Sequence, residues 1–133
     1  MGIKELSVIL TAKDEEGNLL ELFEKVDQAL FELKIDAEAI FIDDGSTDNT
    51  WEMVKNLSQK YSWIKIYRNK KNEGRTKALM RGYRLAKGEY IIEMCTDLES
   101  YPNEDIPKIY NKLVDGDFDV VTGWRQGRQD GKT

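Results

Sequence analysis

The chain has 133 residues, of which 40% are hydrophobic, 10% aromatic and 34% charged, and its formal net charge is −5. This length and composition predict one folded domain rather than a disordered chain, and the negative charge argues against a nucleic-acid binder that works by charge alone. The chain contains no histidine, which excludes every catalytic or metal site that needs an imidazole. Acid–base or metal chemistry must therefore use carboxylates.

Cellular location is predicted from what the sequence lacks. The single cysteine, Cys95, cannot form an intramolecular disulfide, which is typical of a reducing compartment. No apolar run approaches the roughly 18 residues of a membrane span, and residues 1–10 lack the basic start and apolar core of a signal peptide. We therefore expect a cytoplasmic protein with no transmembrane segment in this chain.

Short apolar runs alternate with stretches of helical periodicity along the whole chain. Strands are predicted at residues 6–10, 39–42, 64–67, 89–94 and 119–122, and helices at 19–33, 78–86 and 105–113, with one further helix whose buried face would carry Trp51, Val54 and Leu57. The second helix is expected to begin at the cap oxygens of Ser46, Thr47 and Asp48, and Gly88 is expected to end the third in the left-handed conformation. The alternation predicts the α/β class: three layers, α/β/α, with a mostly parallel sheet.

The segments that follow the predicted strands are rich in acidic residues. In an open parallel sheet, ligands bind beyond the carboxyl ends of the strands, where these segments would meet. Four carboxylates there, Asp43, Asp44, Asp97 and Glu99, would repel a diphosphate, and a bound divalent cation would remove that repulsion. Oxygen ligands of this kind suit Mg²⁺ or Mn²⁺. Taken alone, Asp97 and Glu99 are more typical of solvated loop charges than of a metal site.

Familiar phosphate-binding and calcium-binding loops are excluded by position. Residues 11–16, which follow the first strand, contain no glycine, so a dinucleotide-binding turn is not present there. The ending Gly131-Lys132-Thr133 lacks the earlier glycine of a Walker loop, because position 126 is glutamine. The run that starts at Asp43 has Val54 where a calcium loop needs its glutamate.

Six short segments, in this order, carry a resemblance to a known family. They read VILTAKDEE (8–16), IDDGSTD (42–48), NEG (72–74), AKGEY (86–90), TDL (96–98) and VTGWR (121–125). Together they resemble the nucleotide-binding half of family 2 glycosyltransferases with the GT-A fold, and most of all the dolichol-phosphate mannose synthase-like, polyprenyl-phosphate sugar transferases. The ordered set covers nearly the whole chain.

The resemblance implies a divalent metal, Mg²⁺ or Mn²⁺, and a donor that is a GDP- or UDP-sugar. Asp97 corresponds to the last aspartate of the family's D-x-D motif and would bind the metal with Glu99, and Arg125 would face the donor phosphates, so that Asp97 and Arg125 carry the catalysis. Asp44 would face the base, whereas the side chain of Asp43 is expected to be structural, with a ligand contact left open. The full set of implied nucleotide-sugar-binding residues is Thr11, Ala12, Lys13, Glu15, Ile42, Asp44, Cys95, Thr96, Asp97 and Arg125.

The function implied by the resemblance is transfer of the sugar, with inversion, to a polyprenyl phosphate. Residues 1–125 would form the donor-binding domain, and residues 126–133 a polar tail that is flexible or marks a truncation. Cys95 replaces the first carboxylate of the D-x-D motif, and the family's acceptor-binding half is not in this sequence. These departures keep an alternative open, a non-catalytic domain that binds a nucleotide or nucleotide sugar.

A basic face on the predicted third helix is the remaining candidate surface. Arg75, Lys77, Arg81 and Arg84 follow one another at intervals of two to four residues. A solvated helix face is the first interpretation, and a contact for phosphate or for an anionic membrane surface is the second. Peripheral membrane contact therefore stays open, and no pattern in the sequence indicates an oligomer.

Overall fold

The computed structural model describes residues 4–96 and 101–116, in which four strands alternate with four helices. The strands are β1 (Lys4–Ala12), β2 (Ala37–Asp44), β3 (Ile64–Asn69) and β4 (Gly88–Cys95). The helices are α1 (Leu19–Leu33), α2 (Thr50–Lys60), α3 (Arg75–Leu85) and α4 (Pro102–Asp115). Each predicted strand and helix within these ranges is present, and the predicted strand at 119–122 lies outside the described residues.

The four strands form one parallel sheet in the order β3-β2-β1-β4. β2 is buried along all eight of its residues, as expected for a strand with neighbours on both edges and helices on both faces. Side chains alternate between the faces, so Phe41 joins the large core beneath α1, α2 and α4, while Ile40 and Ile42 pack with Ala78 of α3. Helices therefore cover both faces, and the predicted three-layer α/β/α class is confirmed.

Of the two predicted helix ends, one is confirmed in part and the other was wrong. α2 begins at Thr50, and Asp48 supplies a cap oxygen as predicted, because its Oδ1 accepts the N–H of Thr50 at 2.9 Å, whereas Ser46 and Thr47 lie in the hydrogen-bonded loop before the helix. α3 ends at Leu85, and Gly88 is the first residue of β4 rather than a left-handed cap. A Cβ atom at Gly88 would lie 2.4 Å from the backbone nitrogen of Ser7. Glycine is needed there because β4 approaches β1 closely.

α3 packs tightly on the sheet through a second glycine. A Cβ atom at Gly82 would lie 2.6 Å from Cγ2 of Ile9 in β1. The helix can approach the strand because this position has no side chain. α3 thereby lies over β1 and β2, with its first residue at the carboxyl edge of the sheet.

Candidate active site

A cavity of about 390 Å³ lies at the carboxyl edge of the sheet. Its walls come from the ends of β1 and β2, from the residue after β4, and from the loop that leads into α3. The register brings these ends together, since Thr11 of β1 pairs with Ile42 of β2 and with Cys95 of β4. The volume falls in the range that small-molecule sites occupy, about 300–1,000 Å³.

Most of the nucleotide-sugar-binding residues predicted from the sequence meet around this cavity. Its lining includes Thr11, Ala12, Lys13, Glu15, Asp44 and Thr96. Ile42 is different, because its side chain is fully buried and packs in the core between the sheet and α3. The backbone of Cys95 ends β4, while Asp97, Glu99 and Arg125 lie outside the described residues. The binding role of every one of these residues stays a prediction.

Asp44 is held at the cavity wall by three hydrogen bonds to its carboxylate. It is 5% exposed, and its Oδ1 accepts hydrogen bonds from Asn69 Nδ2 at 3.0 Å and from the backbone N–H of Glu73 at 2.8 Å. Its Oδ2 accepts the backbone N–H of Gly74 at 3.0 Å. One carboxylate thus joins β2 to β3 and to the loop that opens α3. Asp44 fixes the shape of the cavity in addition to facing it.

Asp43 holds the turn that follows β2. Its side chain is fully buried, and its Oδ1 accepts the backbone N–H of Ser46 at 3.0 Å. The other oxygen, Oδ2, lies 3.7 Å from Nε of Arg68, whose guanidinium also lies over the ring of Trp51. Within the described residues Asp43 does not line the cavity, and its structural role stays a prediction.

The loop after β1 is bound to the loop before α2 by reciprocal hydrogen bonds. Oδ1 of Asp14 accepts the backbone N–H groups of Thr47, at 2.7 Å, and Asp48, at 3.2 Å. In return, the N–H of Asp14 donates to Ser46 Oγ at 2.8 Å, and that of Glu15 donates to Thr50 Oγ1 at 2.9 Å. Asp14 adopts a left-handed backbone, with φ of 57°, to make these contacts. The hydrogen bonds to the loop before α2 therefore hold the part of the cavity wall that carries Lys13 and Glu15.

Charges of both signs line the cavity. Lys13 and Arg75 contribute cations, and Glu15 and Asp44 contribute carboxylates. Lys13 Nζ lies 3.1 Å from Oδ2 of Asp14. The backbone N–H of Thr47 is the main cause of the lowered pKa of Asp14, and hydrogen bonding to Lys13 lowers this pKa further. Asp14 is therefore ionised at neutral pH and holds Lys13 at the cavity.

Three lining residues, Asn72, Gly74 and Arg75, were not among the predicted site residues. In the sequence, Asn72 and Gly74 belong to the family segment NEG, and Arg75 was predicted to lie on a basic helix face. These residues reach the cavity through a tertiary contact, because the carboxylate of Asp44 accepts a hydrogen bond from the backbone of this loop, about 30 residues further along the chain. A turn ending in glycine directly before a helix is the only local hint.

The described helices do not include one that could cross a membrane. Among residues 4–96 and 101–116, none combines the length with the apolar composition that such a helix needs. The same residues contain no group of three or more cysteine, aspartate and glutamate side chains placed to hold a metal ion.

Comparison with known proteins identifies the family. The model of "Glycosyl transferase family 2" matches residues 7–133. Dolichol-phosphate mannosyltransferase of Pyrococcus furiosus is 38% identical over 121 residues, which are 91% of this chain and 33% of that protein. Undecaprenyl-phosphate 4-deoxy-4-formamido-L-arabinose transferase of Aeromonas hydrophila subsp. hydrophila is 34% identical over 130 residues, 96% of this chain and 39% of that protein. This chain thus spans little more than a third of these relatives' length.

Solved structures agree on the fold. TarS of S. aureus superposes with a TM-score of 0.70 at 24% identity, covering 84% of this chain and 32% of that one. The mannosyltransferase PcManGT of Pyrobaculum calidifontis, solved with GDP-Man and Mn²⁺, superposes with a TM-score of 0.65 at 20% identity, covering 71% of this chain and 28% of that one. The fold is that of the GT-A glycosyltransferases, and the chain belongs to glycosyl transferase family 2.

Proposed function

We propose that this member of glycosyl transferase family 2 binds a nucleotide diphosphosugar in the cavity at the carboxyl edge of its sheet. The observation that carries the proposal is the convergence of six predicted donor-binding residues on one cavity of suitable size. Residues 1–125 would form this donor-binding unit, with residues 126–133 as a polar tail. Within the cavity, Asp44 and the wall at residues 11–15 would contact the base and ribose of a GDP- or UDP-sugar.

The diphosphate of such a donor needs positive charge that the described cavity does not fully supply. The N-terminus of a helix is a natural phosphate site, because its free N–H groups point outward. At α3, the N–H groups of the two residues before the helix, Glu73 and Gly74, already donate to the carboxylate of Asp44. We therefore propose that a bound cation neutralises most of the phosphate charge.

Asp97 and Glu99 would hold a divalent cation for that purpose. Asp97 follows directly after Thr96, a residue of the cavity wall whose hydroxyl donates to the carbonyl of Thr11 at 3.1 Å. Two hard carboxylate ligands, completed by substrate phosphates, fit Mg²⁺ or Mn²⁺. When bound, such an ion would offset the charge that develops on the leaving nucleoside diphosphate. Arg125 would add a fixed cation facing the same phosphates.

The acceptor that we propose is a polyprenyl phosphate, and the sugar would be transferred with inversion in a single displacement. Both curated relatives act, by name, on a lipid phosphate of this kind. A phosphate acceptor is already an anion at neutral pH, so no strong general base is needed to activate it. A reaction that needs no general base is compatible with a chain that contains no histidine. A cytoplasmic location, which the single cysteine favours, belongs to the same proposal.

A second candidate function is donor binding without transfer. It is favoured by the thiol of Cys95 where the family has a carboxylate, because a soft sulfur is a poor ligand for Mg²⁺. In this case the chain would bind the nucleotide sugar and supply no turnover of its own.

Calorimetric titration tests the donor site. UDP, GDP and their sugar conjugates are titrated into the chain with Mn²⁺ and again after chelation. Asp97→Ala is expected to abolish the metal-dependent part of binding. The matched control is Asp36→Ala, at the opposite edge of the sheet, which is expected to bind as the unchanged chain does. Absence of metal-dependent binding in the unchanged chain would refute the donor site.

Turnover separates the two candidate functions. The chain is incubated with the donor that binds, with Mn²⁺ and with a short polyprenyl phosphate, and release of the nucleoside diphosphate is measured. Sugar transfer, with the opposite anomeric configuration in the product, supports the glycosyltransferase. Tight binding with no transfer supports the binding domain.

A further inference from the structure

The positive charge of the chain is concentrated in one segment. Residues 65–87 contain nine lysine and arginine residues and a single acidic residue, Glu73, although the whole chain has a net charge of −5. The rest of the chain is therefore strongly acidic. This segment comprises most of β3, all of α3 and the turns that flank α3, and four of the nine cations lie on α3. Arg68 of β3 lies instead over Trp51 of α2, on the opposite face of the sheet.

The outward face of α3 combines these cations with exposed apolar side chains. Ala78 and Gly82 are buried against the sheet, whereas Met80 is 54% exposed and Tyr83 is 44% exposed, with the Tyr83 hydroxyl donating to the carboxylate of Glu93 in β4 at the edge of this face. Lys77 and Arg84 are exposed and lie one helical turn before and after Met80. Met80 thus places an exposed apolar side chain between two cations on the solvent-facing side of the helix.

A groove beside this helix is suited to a phosphate group. Its volume is about 320 Å³, and its lining is Asn69, Glu73, Lys77, Met80, Arg81 and Arg84. Arg81 is held in place, because its Nη1 donates to the carbonyl of Arg68 at 3.1 Å and to Oδ1 of Asn69 at 2.6 Å. Three cations thus face one groove that contains a single carboxylate, Glu73.

We infer that the outward face of α3 (Lys77, Met80, Arg81, Tyr83 and Arg84) docks the chain on an anionic phospholipid membrane. Lipid phosphates would lie in the groove between Lys77, Arg81 and Arg84, and Met80 would enter the interfacial region of the bilayer. Positive charge attracts anionic lipid, and an apolar side chain among the cations gains by leaving water. A nucleic acid would satisfy the cations but would give Met80 no apolar environment.

This inference rests on the proposed function for its purpose, because a polyprenyl phosphate acceptor resides in a membrane. α3 begins at Arg75, which lines the donor cavity, so the docking face and the cavity share one helix. An eleven-residue helix is roughly 16 Å long, and docking through it would keep the cavity near the bilayer. The acceptor phosphate would then be within reach of the donor.

Vesicle co-sedimentation tests the docking face. The chain is mixed with phosphatidylcholine vesicles that contain phosphatidylglycerol and with vesicles of phosphatidylcholine alone. We expect binding to the anionic vesicles only, and its loss at high salt. The double variant Lys77→Gln/Arg84→Gln should bind on the order of 30-fold more weakly, since each cation at an anionic surface contributes about a fivefold gain. Met80→Ser should also weaken binding, with no change in charge.

The matched control is Lys108→Gln/Lys112→Gln, which removes two exposed cations from α4 on the other face of the sheet. This control should bind vesicles as the unchanged chain does. Equal losses in both double variants, or no binding of the unchanged chain to anionic vesicles, would overturn the inference. The inference would also be overturned if the chain bound a single-stranded oligonucleotide but not vesicles, and if Lys77→Gln/Arg84→Gln removed that oligonucleotide binding.

The docking face and the donor site can be tested independently of each other. Lys77→Gln/Arg84→Gln should keep its affinity for the nucleotide in calorimetry, and Asp97→Ala should keep its affinity for vesicles. Loss of donor binding with intact vesicle binding would therefore count against the proposed function alone. The reverse result would count against the docking face alone.

Discussion

Replacing Asp44 by asparagine tests whether this carboxylate builds the cavity. Asparagine has the same shape, and its single oxygen can retain the two bonds from Asn69 and Glu73, which are 3.0 and 2.8 Å long. Its amide group would then face the N–H of Gly74, which now donates to the second carboxylate oxygen at 3.0 Å. Two donors would meet, and one charge-assisted hydrogen bond would be lost in a nearly buried site.

The expected cost is about 2–4 kcal/mol of unfolding free energy. The lost bond to a charged acceptor accounts for roughly 1.5–3 kcal/mol, and the two retained bonds become weaker because their acceptor is now neutral. Gly74 limits the loss, because its N–H also lies 3.0 Å from Oδ1 of Asn72. For a domain of this size, such a cost corresponds to a fall in Tm of roughly 8–16 °C.

Thermal and urea unfolding measure this cost, with Asp36→Asn as the control. Asp36 pairs with Lys4 at 3.1 Å, but its side chain is 60% exposed, so the same chemical change should cost less than about 1 kcal/mol. Calorimetry well below Tm should also show weaker nucleotide binding for Asp44→Asn. An unchanged Tm for Asp44→Asn, or equal effects of the two variants, would refute the role of Asp44 in organising the loop before α3.

Three further predictions test the loops and the two proposed surfaces. Gly45→Ala should lower the free energy of unfolding in urea by at least about 2 kcal/mol, because φ of Gly45 is +78° and the new Cβ would lie 2.5 Å from the backbone nitrogen of Asn72. The control Gly17→Ala places its Cβ in open space and should change the free energy of unfolding by no more than about 0.5 kcal/mol. The lowered pKa of Asp14 stabilises the fold above its unfolded value of 3.8, and this contribution is lost as the pH falls through the lower folded pKa. The Tm difference between the unchanged chain and Asp14→Asn should therefore be constant near neutral pH and shrink below pH 3.8. A saturating nucleotide sugar should leave vesicle binding unchanged in co-sedimentation, and direct competition would mean that the docking face overlaps the cavity.

The layers of the fold were predictable because the apolar residues of a buried helix and of a buried strand recur at different spacings along the sequence. α1 carries Leu19, Leu22, Phe23 and Val26 on one face, and β2 is apolar over most of its length since both its faces are covered. Helix ends were less predictable. Gly88 resembles a helix cap in the sequence, but its lack of a side chain serves a contact with Ser7, 81 residues away along the chain. Local sequence does not encode such a contact.

The candidate site was predictable only where its residues follow strands. Thr11 and Asp44 stand at strand ends, and the rule that parallel strands present one carboxyl edge brings them together. Asn72, Gly74 and Arg75 reach the same cavity because the loop before α3 folds back onto Asp44. That folding depends on a hydrogen bond across the sheet edge, which no periodicity in the sequence predicts.

The unusual first loop of this chain has a physical explanation in the structure. The family usually has proline, tyrosine and asparagine there, and this chain has Thr11, Lys13 and Asp14. Asp14 gives its carboxylate to the loop before α2 and, with the same side chain, pairs with Lys13. An aromatic surface for the base is thereby replaced by a braced wall with a cation at the cavity. Under the proposed function this wall would contact the base and ribose through polar groups and not through an aromatic ring, so discrimination between UDP and GDP is expected to depend more on Asp44 than on this loop.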